Sequence, residues 1–187
     1  VLRCPIALFS AVSSSGSFEF PRRIRASMIK LTHLDKKGKS RMVDVTEKGE
    51  TIREAVARGR VLMKPETVRA VEEAGLSKGD VLAVAKIAGV MAAKRTGELI
   101  PLCHPLELTG IDIVFSTDRE KGEIGIEAKV RTVGRTGVEM EALTAVSAAA
   151  LTIYDMCKAA DRGMIISDVR LIRKSGGRSG TYVRKEK

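Results

Sequence analysis

From Arg41 onward the spacing of apolar and polar residues switches between two periods. "RMVDVT" alternates in the manner of a strand, and "TIREAVARGRVLM" fits a strand or a helix equally well. "KPETVRAVEEAG" reads as a short helix, with Pro65 in its first turn and Gly75 at its end. In "KGDVLAVAKIAGVMAAKRTG" the apolar residues Val81, Val84, Ala88 and Met91 recur at helical spacing, and Gly97 stops the run. Two strands follow. Ile111, Ile113 and Phe115 point one way in the first. In the second, Ile124, Ile126, Ala128 and Val130 alternate with Glu127, Lys129 and Arg131. The polar "TDREKG" between them suits a hairpin turn. "GVEMEALTAVSAAALTIYDMCKAADRG" is a long alanine-rich helix ending at Gly163, "MIISDVRLIRK" is a last strand, and "SGGRSG" belongs to a flexible loop over residues 174–187. With the short helix set aside, the order is β-α-β-β-α-β. That predicts an α+β, ferredoxin-like fold, an antiparallel sheet with its helices on one face. Such a fold hosts many functions and names none.

Composition narrows the classes. The 187 residues fit one domain, predicted over residues 28–187, with 44% hydrophobic and 30% charged residues. Aromatics are only 3% with no Trp, so the core must be aliphatic and rich in alanine. No apolar run approaches the roughly 18 residues of a membrane-spanning helix, and no membrane partner is expected. The net charge of +10 invites a nucleic-acid reading, but the charges are dispersed and aromatic platforms for stacking bases are lacking. A small anionic substrate such as a nucleotide accounts for the charge better, and nucleic acid is not expected as a partner. Cys4, Cys103 and Cys157 are odd in number and far apart, which argues against a disulfide framework or a CxxC zinc site and suits a reducing, cytoplasmic setting. Residues 1–27 stand apart, Ser-rich with four arginines and one acid, Glu19. They read as a disordered extension, from a start placed too early or, second, from a transit-like segment. Their net +3 subtracted from +10 leaves +7 for the remainder, so the basic character is not theirs alone.

Candidate chemistry concentrates in few places. "LIPLCHPLEL" sets Cys103 and His104 between Pro101 and Pro105, in a chain whose only other histidine is His33. On the long helix Glu141, Ala148, Thr152 and Asp155 share one stripe, and Lys158 follows Asp155 at i+3. Such a stripe is most simply a solvated face. Yet the alanines around it favour close packing, and a partly buried Asp–Lys pair would serve as an acid–base pair. "KSGGRSG" could wrap a phosphate with Gly amides, Lys174 and Arg178, although it lacks P-loop spacing. Lys78, Gly79 and Asp80 open a helix, itself an anion-favouring position.

"MVDVTEKGETIREAVA", "KGDVLAVAKIAGVMAAKRTGELIPLCHPLELTGIDI", "RTGVEMEALTAVSAAALTIYDMCKAADRGM" and "LIRKSGGRSG" together resemble the molybdenum-cofactor biosynthesis protein C family, from about Thr32 to Gly180. The combination of "PLCHPL", "GVEMEALTA" and "TIYDMCKA" is highly specific. The resemblance implies a cyclic pyranopterin monophosphate synthase, a lyase that rearranges a 3′,8-cyclo derivative of dihydro-GTP and releases pyrophosphate. By the same resemblance Asp155, Lys158 and Lys78 are catalytic. Leu102, Cys103, His104, Met140, Glu141, Glu139, Lys94, Arg53 and Lys174 bind substrate, and Arg178 is a phosphate-contact candidate. His104 is then a rigidly placed donor or proton relay, and Cys103 a neighbour rather than a nucleophile. Metal ligands are scarce, and no cofactor is expected. The resemblance also implies a homo-hexamer, a trimer of dimers. Glu141 and Asp155 would stand about 21 Å apart along one helix, so one pocket using both needs a second chain. The alternative is a non-catalytic nucleotide- or nucleic-acid-binding ferredoxin-like module, which would need neither Asp155 nor Lys158.

Overall fold

Period-two burial settles the ambiguous stretch. In β1 (Thr51–Leu62) Ala55, Ala57 and Val61 are fully buried. Arg58 and Arg60 stand on the other face and pair with Glu127 at 2.6 Å and Glu123 at 3.1 Å. A helix would spread these arginines around its circumference, whereas a strand keeps them together. The computed structural model describes residues 38–73 and 79–185. The extension over residues 1–27, the Gly75 helix stop and Lys78 lie outside the described residues.

β2 (Leu108–Asp118) and β3 (Glu123–Gly134) form the expected hairpin. β4 is Ile165–Ser175, and a short β5, Tyr182–Val183, follows. The sheet order is β2-β3-β1-β4-β5, with every neighbouring pair antiparallel. β3 therefore inserts between β1 and β2, which is the split crossover of a ferredoxin-like α+β fold. The register pairs Ala55 with Val130, Ala57 with Ala128 and Val61 with Ile124, so the middle of one sheet face is apolar. The opposite face carries ion pairs, among them Glu54 with Lys129 at 3.1 Å and with Arg173 at 3.0 Å.

Three helices and one short turn of helix complete the fold. α1 is Pro65–Glu72, with the proline in its first turn as expected. α2 is Val81–Lys94, capped by Asp80, whose side chain accepts from the Ala83 N–H at 2.9 Å. α3 is Thr96–Leu99, and α4 is Glu139–Cys157. α2 and α4 pack on each other and cover the apolar sheet face.

The buried side of α2 is Val81, Ala85, Gly89 and Ala93, not the larger stripe through Val84, Ala88 and Met91. Val84 is 43% exposed and Met91 48%. The reason is close approach: a Cβ at Gly89 would stand 2.6 Å from Ile113 Cδ1 and 2.9 Å from the Ala145 carbonyl. Only small residues fit there, so the bulkier side chains turn outward.

Three further departures have local causes. Residues 41–46 form no strand, because the Asp44 side chain accepts from both the Thr46 N–H (2.9 Å) and hydroxyl (2.7 Å) and turns the chain. Val43 and Val45 still sit half-buried on a common side. α4 stops at Cys157 instead of running to Gly163. Buried Asp161 accepts from the backbone N–H groups of Lys64 and Gly163, both at 2.9 Å, and so ties the chain after α4 to the end of β1. Part of the tail read as a loop is β5, which pairs Val183 with Arg173 and Tyr182 with Lys174.

Candidate active site

The register of three strands gathers cations that are far apart in sequence. Thr51 pairs with Gly134 and Glu54 with Ser175, which brings the start of β1, the end of β3 and the end of β4 to one edge. A cleft of about 750 Å³ opens there, with Lys48, Arg53, Arg135, Lys174 and Arg178 in its wall. Arg53 is fixed by donating to the Gly134 carbonyl at 2.8 Å and the Arg135 carbonyl at 3.0 Å. Gly176 and Gly177, at φ of 94° and 72°, fold directly over Arg53, where any side chain would collide with it or with β1. The Lys174 ammonium donates to the Ser179 hydroxyl. Glu54, also in the wall, is already paired with Lys129 and Arg173 and does not cancel the positive field. Backbone amides of a Gly-rich turn among several cations suit a polyanion such as a triphosphate.

A second cleft, about 340 Å³, shares Lys48, Thr136, Gly137 and Glu139 with the first. Its remaining wall includes Val43, Val45, Leu102, Cys103, His104, Met140 and Glu141. The loop from Pro101 to Glu107 is held by Cys103 N–H to the Ile100 carbonyl at 3.0 Å and by the Thr132 hydroxyl to the Glu107 carbonyl at 2.5 Å. Gly137 leaves room for the Glu139 carboxylate, which lies against it where the two clefts meet.

Glu141 is 3% exposed, and its Oε2 has no hydrogen-bond partner among the described residues. Burial pushes its carboxyl up to about 7; its own backbone N–H opposes the shift and the charge of Glu139 adds to it. Burial, then the nearby Glu141, also pushes the Cys103 thiol up, so this cysteine is not an activated nucleophile. Asp44 is held below the usual carboxylate range, first by its hydrogen bonds from Thr46, with smaller help from Arg41 and His104.

The far end of α4 holds the other candidates. Lys158 caps the helix and meets Asp155 at 2.6 Å, an ion pair that raises the lysine's pKa. The two side chains are 53% and 60% exposed, which corrects the expectation that they are partly buried. α4 buries Ala142, Ala145, Val146, Ala149 and Ile153, so the stripe through Ala148, Thr152 and Asp155 turns away from the core. The fourteen residues of helix from Glu141 to Asp155 span about 21 Å. Lys94, exposed at the end of α2, lines neither cleft, and Lys78 lies outside the described residues. The structure thus unites Arg53, Lys174 and Arg178 with Glu139, and Leu102, Cys103 and His104 with Met140 and Glu141. It leaves Asp155, Lys158 and Lys94 apart from them.

Sequence reasoning missed Lys48 and Arg135. Neither sits in a motif with its own spacing signal; only the strand register brings them beside Arg53 and Lys174. Among the described residues no group of three or more His, Cys, Asp or Glu is placed to hold a metal ion. No described helix is long and apolar enough to cross a membrane.

The MoaC family profile matches residues 42–177, a span that includes the second cleft, all of the first except Arg178 and Ser179, and the end of α4. The chain belongs to the MoaC family. It is 64% identical over 156 residues to a cyclic pyranopterin monophosphate synthase from Heliobacterium modesticaldum, covering 83% of this chain and 98% of that one. Cyclic pyranopterin monophosphate synthases from Thermoanaerobacter sp. and Thermomicrobium roseum are each 62% identical. The matches cover 82% and 85% of this chain and 98% and 96% of theirs.

Proposed function

We propose that this MoaC-family chain is a cyclic pyranopterin monophosphate synthase of molybdenum cofactor biosynthesis. It converts (8S)-3′,8-cyclo-7,8-dihydroguanosine 5′-triphosphate to cyclic pyranopterin monophosphate. A substrate hydroxyl oxygen bonds to the α-phosphorus, and the bond from that phosphorus to the leaving pyrophosphate breaks. The observation that carries the reading is the pair of joined clefts, one cationic and glycine-rich, the other lined by carboxyls and a histidine. Arg53, Lys174 and Arg178, with Lys48 and Arg135, hold the phosphates. Leu102, Cys103, His104, Met140, Glu141 and Glu139 enclose the ring system. The catalytic name of the relatives favours this reading over a non-catalytic binding module.

Asp155, Lys158 and Lys78 move the protons, and they reach the ring of a substrate held by a neighbouring subunit. The separation of about 21 Å along α4 supports this. So does the uncovered apolar surface of the helices, where Ile87 and Leu151 are each 61% exposed and Leu151 lies one turn from Asp155. A two-fold seam over this layer, repeated in a trimer of dimers, completes each site. The free thiol of Cys103 suits a reducing cytoplasm. Incubation of the purified protein with the cyclic dihydro-GTP derivative tests the activity. Pyrophosphate and an oxidisable, fluorescent pterin product are expected, and their absence from folded protein overturns it.

A further inference from the structure

Glu141 presents a contradiction that its family role in binding does not resolve. Its side chain is almost wholly buried, one oxygen lacks any hydrogen-bond partner among the described residues, and yet it lines the second cleft. An ionised carboxylate in that position needs a cation or several donors. The titratable and charged groups around it are Glu139 on its own helix, Cys103 and His104 on the loop above, Lys48 on the segment before β1, and Asp44 near His104. None makes an ion pair with Glu141 among the described residues, and Glu139 brings a charge of the same sign. Arg135, on the turn before α4, lines the first cleft, donates to the Thr46 carbonyl at 3.3 Å and lies 3.9 Å from Glu50.

We propose that Glu141 stays a neutral carboxylic acid and donates its proton in a hydrogen bond to the carbonyl oxygen of the substrate's guanine-derived ring. Its unsatisfied oxygen is then the site's donor, and it selects a ring that presents an acceptor at that position. Glu139, at the mouth shared by both clefts, is left to accept from ring N–H groups. Two carboxyls on one helical turn thereby take opposite roles, separated by burial. A carboxyl pushed up to about 7 keeps its proton through the lower part of the neutral range.

The inference rests on the clefts being the synthase's substrate site, and the test separates the two. The infrared spectrum of the assembled wild-type protein at pH 6 should contain the carbonyl band of a protonated carboxylic acid. That band should vanish on raising the pH to about 8.5 and be missing from Glu141→Gln. The wild-type KM for the cyclic dihydro-GTP derivative should rise about tenfold between pH 6 and pH 8 relative to that of Glu141→Gln. The ratio cancels any pH effect common to both proteins, that of the substrate phosphates included. At pH 6 Glu141→Gln, which keeps a donor, should raise KM a few-fold, while Glu141→Ala should raise it about a hundredfold. An active wild-type protein without the acid band, or a Gln variant as poor as Ala at pH 6, overturns the proposal and leaves the synthase reading standing. A wild-type protein that shows the band but makes no product overturns the synthase reading instead.

Discussion

At the first turn of α4, Glu141 is 3% exposed and one of its oxygens lacks a partner among the described residues, whereas fourteen residues further on Asp155 leaves 60% of its side chain in solvent and meets Lys158 at 2.6 Å. Both are carboxyls on one stripe of one helix. Their surroundings differ because the start of α4 shares a cleft with the loop carrying Cys103 and His104, while the Asp155 and Lys158 side chains at the other end are more than half exposed. The first end is part of a cleft wall. The second has reactive groups but no enclosure, which is the condition expected of residues that complete a neighbour's site.

The strongest way to break this contrast is Asp155→Asn. It should lower kcat by about 10²–10⁴, with an unchanged circular-dichroism spectrum and melting curve, because the pair is exposed and removes only a proton-transfer group. Near-normal turnover would show that the open end of α4 has no catalytic part. At the other end, Arg53→Ala should raise KM about 10- to 100-fold with a smaller change in kcat, since it removes charge-assisted contacts to phosphate. An effect confined to kcat would take Arg53 out of the phosphate cleft's role.

The two ends can be tested together by mixing Glu141→Ala with Asp155→Asn. Random pairing should restore roughly a quarter of wild-type activity, because half the sites in a mixed dimer draw both intact residues. Well-exchanged mixtures that stay inactive, or an active protein that sediments as a monomer, would mean that one chain makes its own site.

Smaller effects concern stability. Glu141 has an ordinary value of 4.5 and a folded value of about 7, so the native state holds the proton more tightly than the unfolded chain. Its contribution is therefore complete below about pH 4.5 and is lost as pH rises through about 7, a total of about 3 kcal/mol. Urea unfolding of wild type and Glu141→Gln at pH 5 and pH 8 should show the variant gaining relative to wild type at the higher pH; parallel behaviour would contradict the burial argument. Finally, Asp161→Ala should cost about 1–3 kcal/mol by leaving the Lys64 and Gly163 N–H groups without their acceptor. An unchanged denaturation midpoint would show that Asp161 does not secure the end of α4.

The patterns that survived from sequence to structure are those of residues contacting a single layer. Ile124, Ile126, Ala128 and Val130 were legible as a half-buried strand because alternation records which face meets the core. α2 was legible as a helix, but its inward face was not. Val84, Ala88 and Met91 look like core residues until Gly89 is seen against the Ala145 carbonyl, and only the distance between two helices decides that. The site divides in the same way. The residue types of "PLCHPL" and "GVEMEA", and the resemblance they carry, were present in the linear chain. Lys48 and Arg135 were not recognisable, because their membership in the cation cleft follows from strand register. The proton on Glu141 was beyond the sequence as well. A carboxyl's pKa is set by how much water and how many donors reach it, and those are properties of the packed loop above it. The sequence by itself determined the two main helices, the central hairpin, the family and the chemical groups available; the tertiary structure decided which groups meet, which face the core and which carboxyl keeps its proton, since each depends on distances between segments far apart in the chain.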